Sequence, residues 1–125
     1  MMLIVEGIIS LTKTKMIYGE HLKSTSVSFA GSGDNTVISA PTSPAYLAID
    51  LLSLVPNAAV SLKLIRGTTD LTGVYSLTAN QGFTLDNTFL NPDGVITCLP
   101  GEAFKINLSG AVQVSGFCRY RIISA

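Results

Sequence analysis

The sequence predicts an all-β protein built as an antiparallel β-sandwich. From about residue 36 onward, the chain is a series of short runs in which apolar and polar residues alternate, as they do in half-buried strands. Turn-forming sequences rich in Gly, Asn, Asp and Pro separate these runs at the spacing typical of sandwiches and barrels. The 125 residues are the size of one domain and are enough to bury a core.

Residues 1–23 precede this pattern and are predicted to form an extended N-terminal arm or strand. The stretch from Met2 to Tyr18 is apolar and rich in β-branched residues, and its second half alternates, which favours a strand over a helix. Glu6 interrupts the apolar run and no basic segment precedes it, so the run does not resemble a secretion signal.

The two cysteines, Cys98 and Cys118, are expected to be buried thiols. Without a secretion signal we expect synthesis in a reducing cytoplasm, where disulfides are rare. Cys118 also falls on the predicted core face of the last strand.

Eight runs are predicted to be strands, and residues 24–125 are predicted to form the sandwich domain. In order, the runs are 36–40, 46–55, 58–66, 71–77, 82–85, 95–98, 103–108 and 112–122. Pro41 and Pro44 end the first run, because proline cannot continue a central ladder. Tyr46–Val55 could be a helix on its own, but the Pro56–Asn57 turn and the strand that follows favour a strand.

Alternation also predicts which side chains face the core. In the seventh run, Phe104, Ile106 and Leu108 share one face. In the last run, the predicted core set is Val112, Val114, Gly116, Cys118, Tyr120 and Ile122. The side chains predicted to face solvent are those of Gln113, Ser115, Phe117, Arg119 and Arg121.

Eight strands suit a jelly roll made of two four-stranded sheets. An immunoglobulin-type sandwich is the alternative, but the chain has no Trp and lacks the Cys…Trp…Cys spacing of that fold.

Composition argues for a surface that other molecules cover. Hydrophobic residues make up 47% of the chain and charged residues 13%, about half the usual charged share. A subunit interface would account for so few charges, since interface cores are depleted of them. The net charge of zero gives no basic surface for nucleic acid, and no apolar run reaches the ~20 residues of a membrane-spanning helix.

The sequence carries no evident catalytic or cofactor-binding pattern. His21 is the single histidine, and we expect it to be a solvated loop residue. No nucleophile-elbow, phosphate-loop, zinc or Cys-x-x-Cys motif occurs, so we expect no cofactor, no metal and no enzymatic activity. The Asp-containing turns do not have the spacing of a calcium-binding loop, and Asp and Asn are common turn residues.

Five of the nine aromatic residues could form a stacking platform for sugars or bases, but they fall mostly on core positions. They are Phe83, Phe89, Phe104, Phe117 and Tyr120. We therefore interpret them as core, with Phe117 the one whose exposure most needs to be examined.

The apolar residues of the arm are the candidate partner-binding residues. They are Leu3, Ile4, Val5, Ile8, Ile9 and Leu11. They could add an edge strand to their own subunit, or they could add a strand to a neighbouring chain. The sequence pattern is the same in both cases.

Several segments together resemble a group of small tailed-phage proteins that are usually encoded with virion structural genes. The segments are Gly33–Pro41, Arg66–Gly73, Leu77–Phe83, Asn91–Gly94, Gly101–Phe104, Asn107–Gly116 and Tyr120. They span about 32–123 and consist of turn chemistry, so the resemblance is specific to the fold. Residues 1–23 fall outside it, and Thr42–Ala45 stands where a basic pair is usual in this group.

The resemblance implies capsid decoration: a β-sandwich cement subunit, commonly a homotrimer, that binds the major capsid protein of the head shell. The expected location is the capsid surface of the virion. A receptor- or glycan-binding module of a head or tail fibre is the alternative, and an exposed aromatic and Asp/Asn cluster at Asp86, Asn87, Phe89 and Asp93 would favour it. A hydrolase has little support from the residues.

Overall fold

The computed structural model describes residues 22–124, which form ten β-strands. They are β1 (Lys23–Phe29), β2 (Gly33–Ile38), β3 (Tyr46–Pro56), β4 (Val60–Arg66), β5 (Thr69–Asp70), β6 (Tyr75–Leu77), β7 (Phe83–Asp86), β8 (Ile96–Cys98), β9 (Phe104–Leu108) and β10 (Val114–Ile123). No helix long and apolar enough to cross a bilayer occurs in this part of the chain.

The strands form two sheets in which every pairing is antiparallel. The first sheet has the order β1-β10-β3, and β7 and β8 pair one after the other along the free edge of β3. The second has the order β2-β9-β4, with β5 and β6 along the free edge of β4. The two sheets share one hydrophobic core, as predicted for a β-sandwich.

The strand order is that of a jelly roll. Because β5 and β6 occupy one place in the second sheet and β7 and β8 one place in the first, each sheet has four strand positions. Successive positions alternate between the sheets except at the β4–β5 hairpin.

All eight predicted runs contain a strand, including Tyr46–Pro56, and the structure adds β1 and the two-residue β5. The sequence of β1, KSTSVSF, gave little signal because only Val27 is buried in it.

The core lies between the sheets and consists of the alternating apolar residues of the long strands. The predicted face of β9 is confirmed, since Phe104 and Ile106 are 0% exposed and Leu108 is 1% exposed. Cys98 and Cys118 are buried free thiols in the same core, as predicted.

One glycine allows the two longest strands to lie close together. A Cβ atom on Gly116 of β10 would lie 1.8 Å from the carbonyl oxygen of Ser53 in β3. Only glycine fits this position without a backbone shift. This close contact between Gly116 and Ser53 lies near the β-bulge between β3 and β10 that the next subsection describes.

Candidate functional site

A β-bulge in β3 is the starting point of the candidate site. Leu51 pairs with Arg119 and Ile49 with Tyr120, which leaves Asp50 without an opposite residue in β10. Such an extra residue bends a strand and redirects its side chain. Asp50 is 6% exposed, so the bulge places a carboxylate where water cannot solvate it.

Arg121 of β10 neutralises this carboxylate through two parallel hydrogen bonds. Its Nε donates to Oδ2 of Asp50 at 2.7 Å and its Nη2 donates to Oδ1 at 2.9 Å. Both side chains are almost fully buried, with 6% and 7% of their surface exposed. This bidentate, charge-assisted geometry is the strongest form of a side-chain ion pair.

The burial of Arg121 in this ion pair contradicts the side-chain faces predicted for the last strand. Arg121 was expected on the wetter face and Ile122 in the core, but Arg121 is 5% exposed and Ile122 is 39% exposed. The prediction assumed that each side chain is buried only by the core. The bulge instead brings Asp50 beside the end of β10, where Arg121 is buried as its ion-pair partner.

Asn87 connects the ion pair to a loop. Its Nδ2 donates to Oδ1 of Asp50 at 3.0 Å, and its backbone N–H donates to the Asp50 carbonyl at 2.9 Å. The same side chain also closes the loop, since Nδ2 donates to the carbonyl of Asn91 at 2.8 Å and Oδ1 accepts from the Asn91 N–H at 3.0 Å. Asn87 is 6% exposed, and these bonds use its polar atoms.

The segment 87–95, here called the Asn87 loop, leaves the sheet between β7 and β8. Both ends of the loop are bonded to β3, because the Val95 N–H at its C-terminal end donates to the Ile49 carbonyl at 2.8 Å. Tyr46 donates its hydroxyl proton to the Asp93 carboxylate at 2.8 Å, and this bond is the main reason that the pKa of Tyr46 is raised.

Gly94 allows the loop to return against the strand. Its φ of +80° lies in the left-handed region, and a Cβ atom there would lie 2.5 Å from the Ile49 carbonyl oxygen. Any other residue would meet both a strained backbone and a steric clash.

Phe89 and Leu90 form the tip of the Asn87 loop and project away from the sandwich. Phe89 is 95% exposed and Leu90 is 54% exposed. The φ of Leu90 is +56°, an uncommon value for a residue other than Gly, Asn or Asp. Two exposed carboxylates, Asp86 and Asp93, flank the tip.

Phe89 therefore contradicts the interpretation of the aromatic residues as core. Phe104 and Phe83 are buried and Tyr120 packs partly against the core, as expected, but Phe89 belongs to a turn rather than to a strand. Phe117 is 37% exposed, and the guanidinium carbon of Arg119 lies 5.8 Å from the centre of its ring.

The remaining candidates do not gather into a reactive site. The arm residues Leu3, Ile4, Val5, Ile8, Ile9 and Leu11 and also His21 lie outside the described residues. Within residues 22–124, no group of three or more His, Cys, Asp or Glu side chains could hold a metal ion. Burial raises the pKa of both thiols to about 12, which keeps them protonated and poorly nucleophilic near neutral pH.

One feature of the sequence indicated the hydrogen-bonded group formed by Asp50, Asn87 and Arg121. Asp50 is the single charge in the most apolar run, Tyr46–Val55, and a buried carboxylate requires a partner. Nothing in the sequence identified Arg121 or Asn87 as that partner, because they lie 71 and 37 residues away along the chain.

No family model, curated protein or solved structure matches the chain.

Proposed function

We propose that the chain is a non-enzymatic structural protein of a virus particle, a phage capsid decoration subunit. It binds the assembled head shell through the major capsid protein and stabilises that shell. Because it binds the assembled state and not the broken one, it favours assembly by mass action. This role needs no cofactor and no catalytic residue.

The observation that carries the proposal is an apolar surface on a chain with few charges. Nine large hydrophobic residues of the described chain are exposed, among them Phe89 at 95% and Val74 at 64%. Where such side chains form a contiguous patch, they are typical of interaction sites. The resemblance of segments within 32–123 to small tailed-phage proteins supports a shell as the partner.

The direct test uses heads from a phage stock in which the gene for this chain has been deleted. The purified chain is added back, and bound protein is measured after sedimentation. We expect saturable binding at a fixed ratio to the shell subunit and a higher temperature of head disruption. If the chain stays in the supernatant at every concentration, the proposal is wrong.

The proposed homotrimer is tested by light scattering on the purified chain. We expect three times the chain mass of 13.2 kDa. A monomer in solution would contradict a preformed trimer and would leave assembly on the shell as the only route to one.

The proposed role of the arm is tested by deleting residues 1–11. We expect a folded sandwich that binds heads more weakly, since main-chain hydrogen bonds of an added strand contribute affinity. If the shortened chain binds heads as strongly as the full chain, the arm does not contribute to shell binding.

The alternative function, a receptor- or glycan-binding module, is favoured by one observation. Phe89 is exposed between the exposed carboxylates of Asp86 and Asp93, and an exposed aromatic could stack on a sugar ring. The amide of Asn87, however, is engaged inside the protein and offers no hydrogen bond to a sugar. Binding to host-surface polysaccharide with no binding to heads would establish this alternative.

A further inference from the structure

We infer that the tip of the Asn87 loop inserts into an apolar pocket with a basic rim on a partner protein. The inference rests on the proposed function, under which that partner is the shell subunit. It assigns a contact to residues of the sandwich itself, in addition to the contact proposed for the arm.

Phe89 is more exposed than any other large apolar side chain within residues 22–124. Phe117, Ile122 and Val55 lie on strands and are 37–42% exposed, so more than half of each is covered by neighbours. Phe89 is 95% exposed and stands beside Leu90 at 54%. Phe89 therefore presents almost all of its surface to a concave partner, and Leu90 presents more than half.

The tip is held in place before any partner arrives. Asn87 bonds both across the loop and to the buried Asp50, and Val95 returns the chain to β3. A loop fixed in this way loses little conformational entropy on binding. The positive φ of Leu90 is backbone strain of the kind that persists where the surrounding structure imposes it, commonly at functional sites.

Charge around the tip indicates the chemistry of the pocket rim. The sequence contains no Lys or Arg between Arg66 and Lys105, a span that includes the whole loop. Of the four acidic residues in that span, Asp70 and Glu102 pair with Lys63 and Arg66. Asp86 and Asp93, on either side of the tip, form no ion pair within residues 22–124, so the approach of a basic surface is favoured.

The side chains at the tip and the bonds of Asn87 favour a protein pocket over a sugar as the binding partner. Phe89 and Leu90 have no side-chain hydrogen-bonding groups, and the polar atoms of Asn87 are already bonded. Sites for small ligands such as sugars are concave and enclose most of the ligand, whereas Phe89 is 95% exposed at the tip of a loop. An aromatic anchor that becomes buried on binding, inside a polar rim, is instead typical of a protein–protein hot spot.

The test compares Phe89→Ser with a matched control, Val74→Ser, in binding to heads that lack the protein. Both side chains are highly exposed, so both variants should melt at the temperature of the unmodified chain. We expect Phe89→Ser to bind at least about tenfold more weakly, as for an aromatic anchor, and Val74→Ser to bind normally. Asp86→Asn should reduce the association rate at low salt and have less effect at high salt.

The outcomes separate the inference from the proposed function. If the unmodified chain does not bind heads, both fail. If it binds and Phe89→Ser binds equally well, or if both serine variants weaken binding to the same extent, only the inference is wrong. It is also wrong if Phe89→Ser lowers the native mass of the free protein, because the occupant would then be a second copy, or if it abolishes binding to host polysaccharide instead.

Discussion

The two sheets of the sandwich use ion pairs in opposite ways. In the first sheet, Arg121 and Asp50 are almost completely removed from water and are joined to Asn87. In the second sheet, Lys63–Asp70 has side-chain exposures of 29% and 55%. A buried charge that loses its partner is costly, whereas an exposed pair contributes little because water replaces either partner. The first pair therefore determines a loop conformation, and the second mainly provides a polar surface.

The largest expected effect is the loss of the buried cation. Arg121→Met should lower the free energy of unfolding by about 3–5 kcal/mol, because it leaves the Asp50 carboxylate buried without its counter-charge. Urea denaturation measures this loss.

The matched control for this change is Arg66→Met, which removes an arginine from a partly exposed pair, since the side chains of Arg66 and Glu102 are 25% and 22% exposed. We expect a loss of about 1 kcal/mol or less. Equal losses in the two variants would contradict the distinction between the sheets. In the double variant Asp50→Leu/Arg121→Met, removal of both charges should restore part of the stability.

The next effect concerns the return of the Asn87 loop to β3. Gly94→Ala should cost about 1–3 kcal/mol, because the new methyl group meets the backbone of Ile49 at a positive φ. Gly73→Ala is the control, since a Cβ there has no atom within 4 Å, and its effect should stay within about 0.5 kcal/mol. Thermal melts of the two variants compare them directly, and equal melting temperatures would show that the loop does not need this glycine.

The buried thiols predict a loss of stability at alkaline pH. Burial raises the pKa of Cys98 and Cys118 from 9.0 to about 12, so the folded chain keeps protons that the unfolded chain loses above pH 9. The free energy of unfolding should therefore fall between pH 9 and pH 12, by up to about 1.4 kcal/mol per thiol for each pH unit. Urea melts at pH 8 and pH 10 measure this fall.

The double variant Cys98→Ala/Cys118→Ala should lose most of this pH dependence. A fall in stability of the same size in that variant would assign the effect to other groups.

The smallest effect is expected at the exposed pair. A double-mutant cycle on Lys63 and Asp70, with Lys63→Met and Asp70→Asn, should give a coupling of about 0.2–1 kcal/mol that decreases as salt is added. A coupling above 2 kcal/mol that salt does not change would mean that this pair behaves like the buried one.

The sequence predicted the parts of the fold that depend on local alternation. Phe104, Ile106 and Leu108 lie where their period of two places them, and Tyr46–Pro56 is a strand as its flanking turns indicated. The failures occur where burial depends on contacts distant in sequence. β1 has one buried residue and little apolar pattern, and Arg121 is buried in an ion pair with Asp50, which lies at a bulge in another strand.

The candidate site was predictable only in outline. The acidic turns on both sides of Phe89 were visible as turn chemistry, but alternation suggested that Phe89 itself is buried. Its exposure depends on the bonds between Asn87 and Asp50, which join residues that are 37 positions apart. A pattern read along one strand cannot contain that information.

The divided strands at the sheet edges have a consequence for aggregation of the protein. Along one edge of each sheet, two short segments and a loop replace a long strand: β7 and β8 in the first sheet, and β5 and β6 in the second. Long, flat edges allow chains to pair edge to edge, and short or interrupted edge strands disfavour this pairing. At these two edges, a chain with so few charges to keep its copies apart thus has a geometric protection against aggregation.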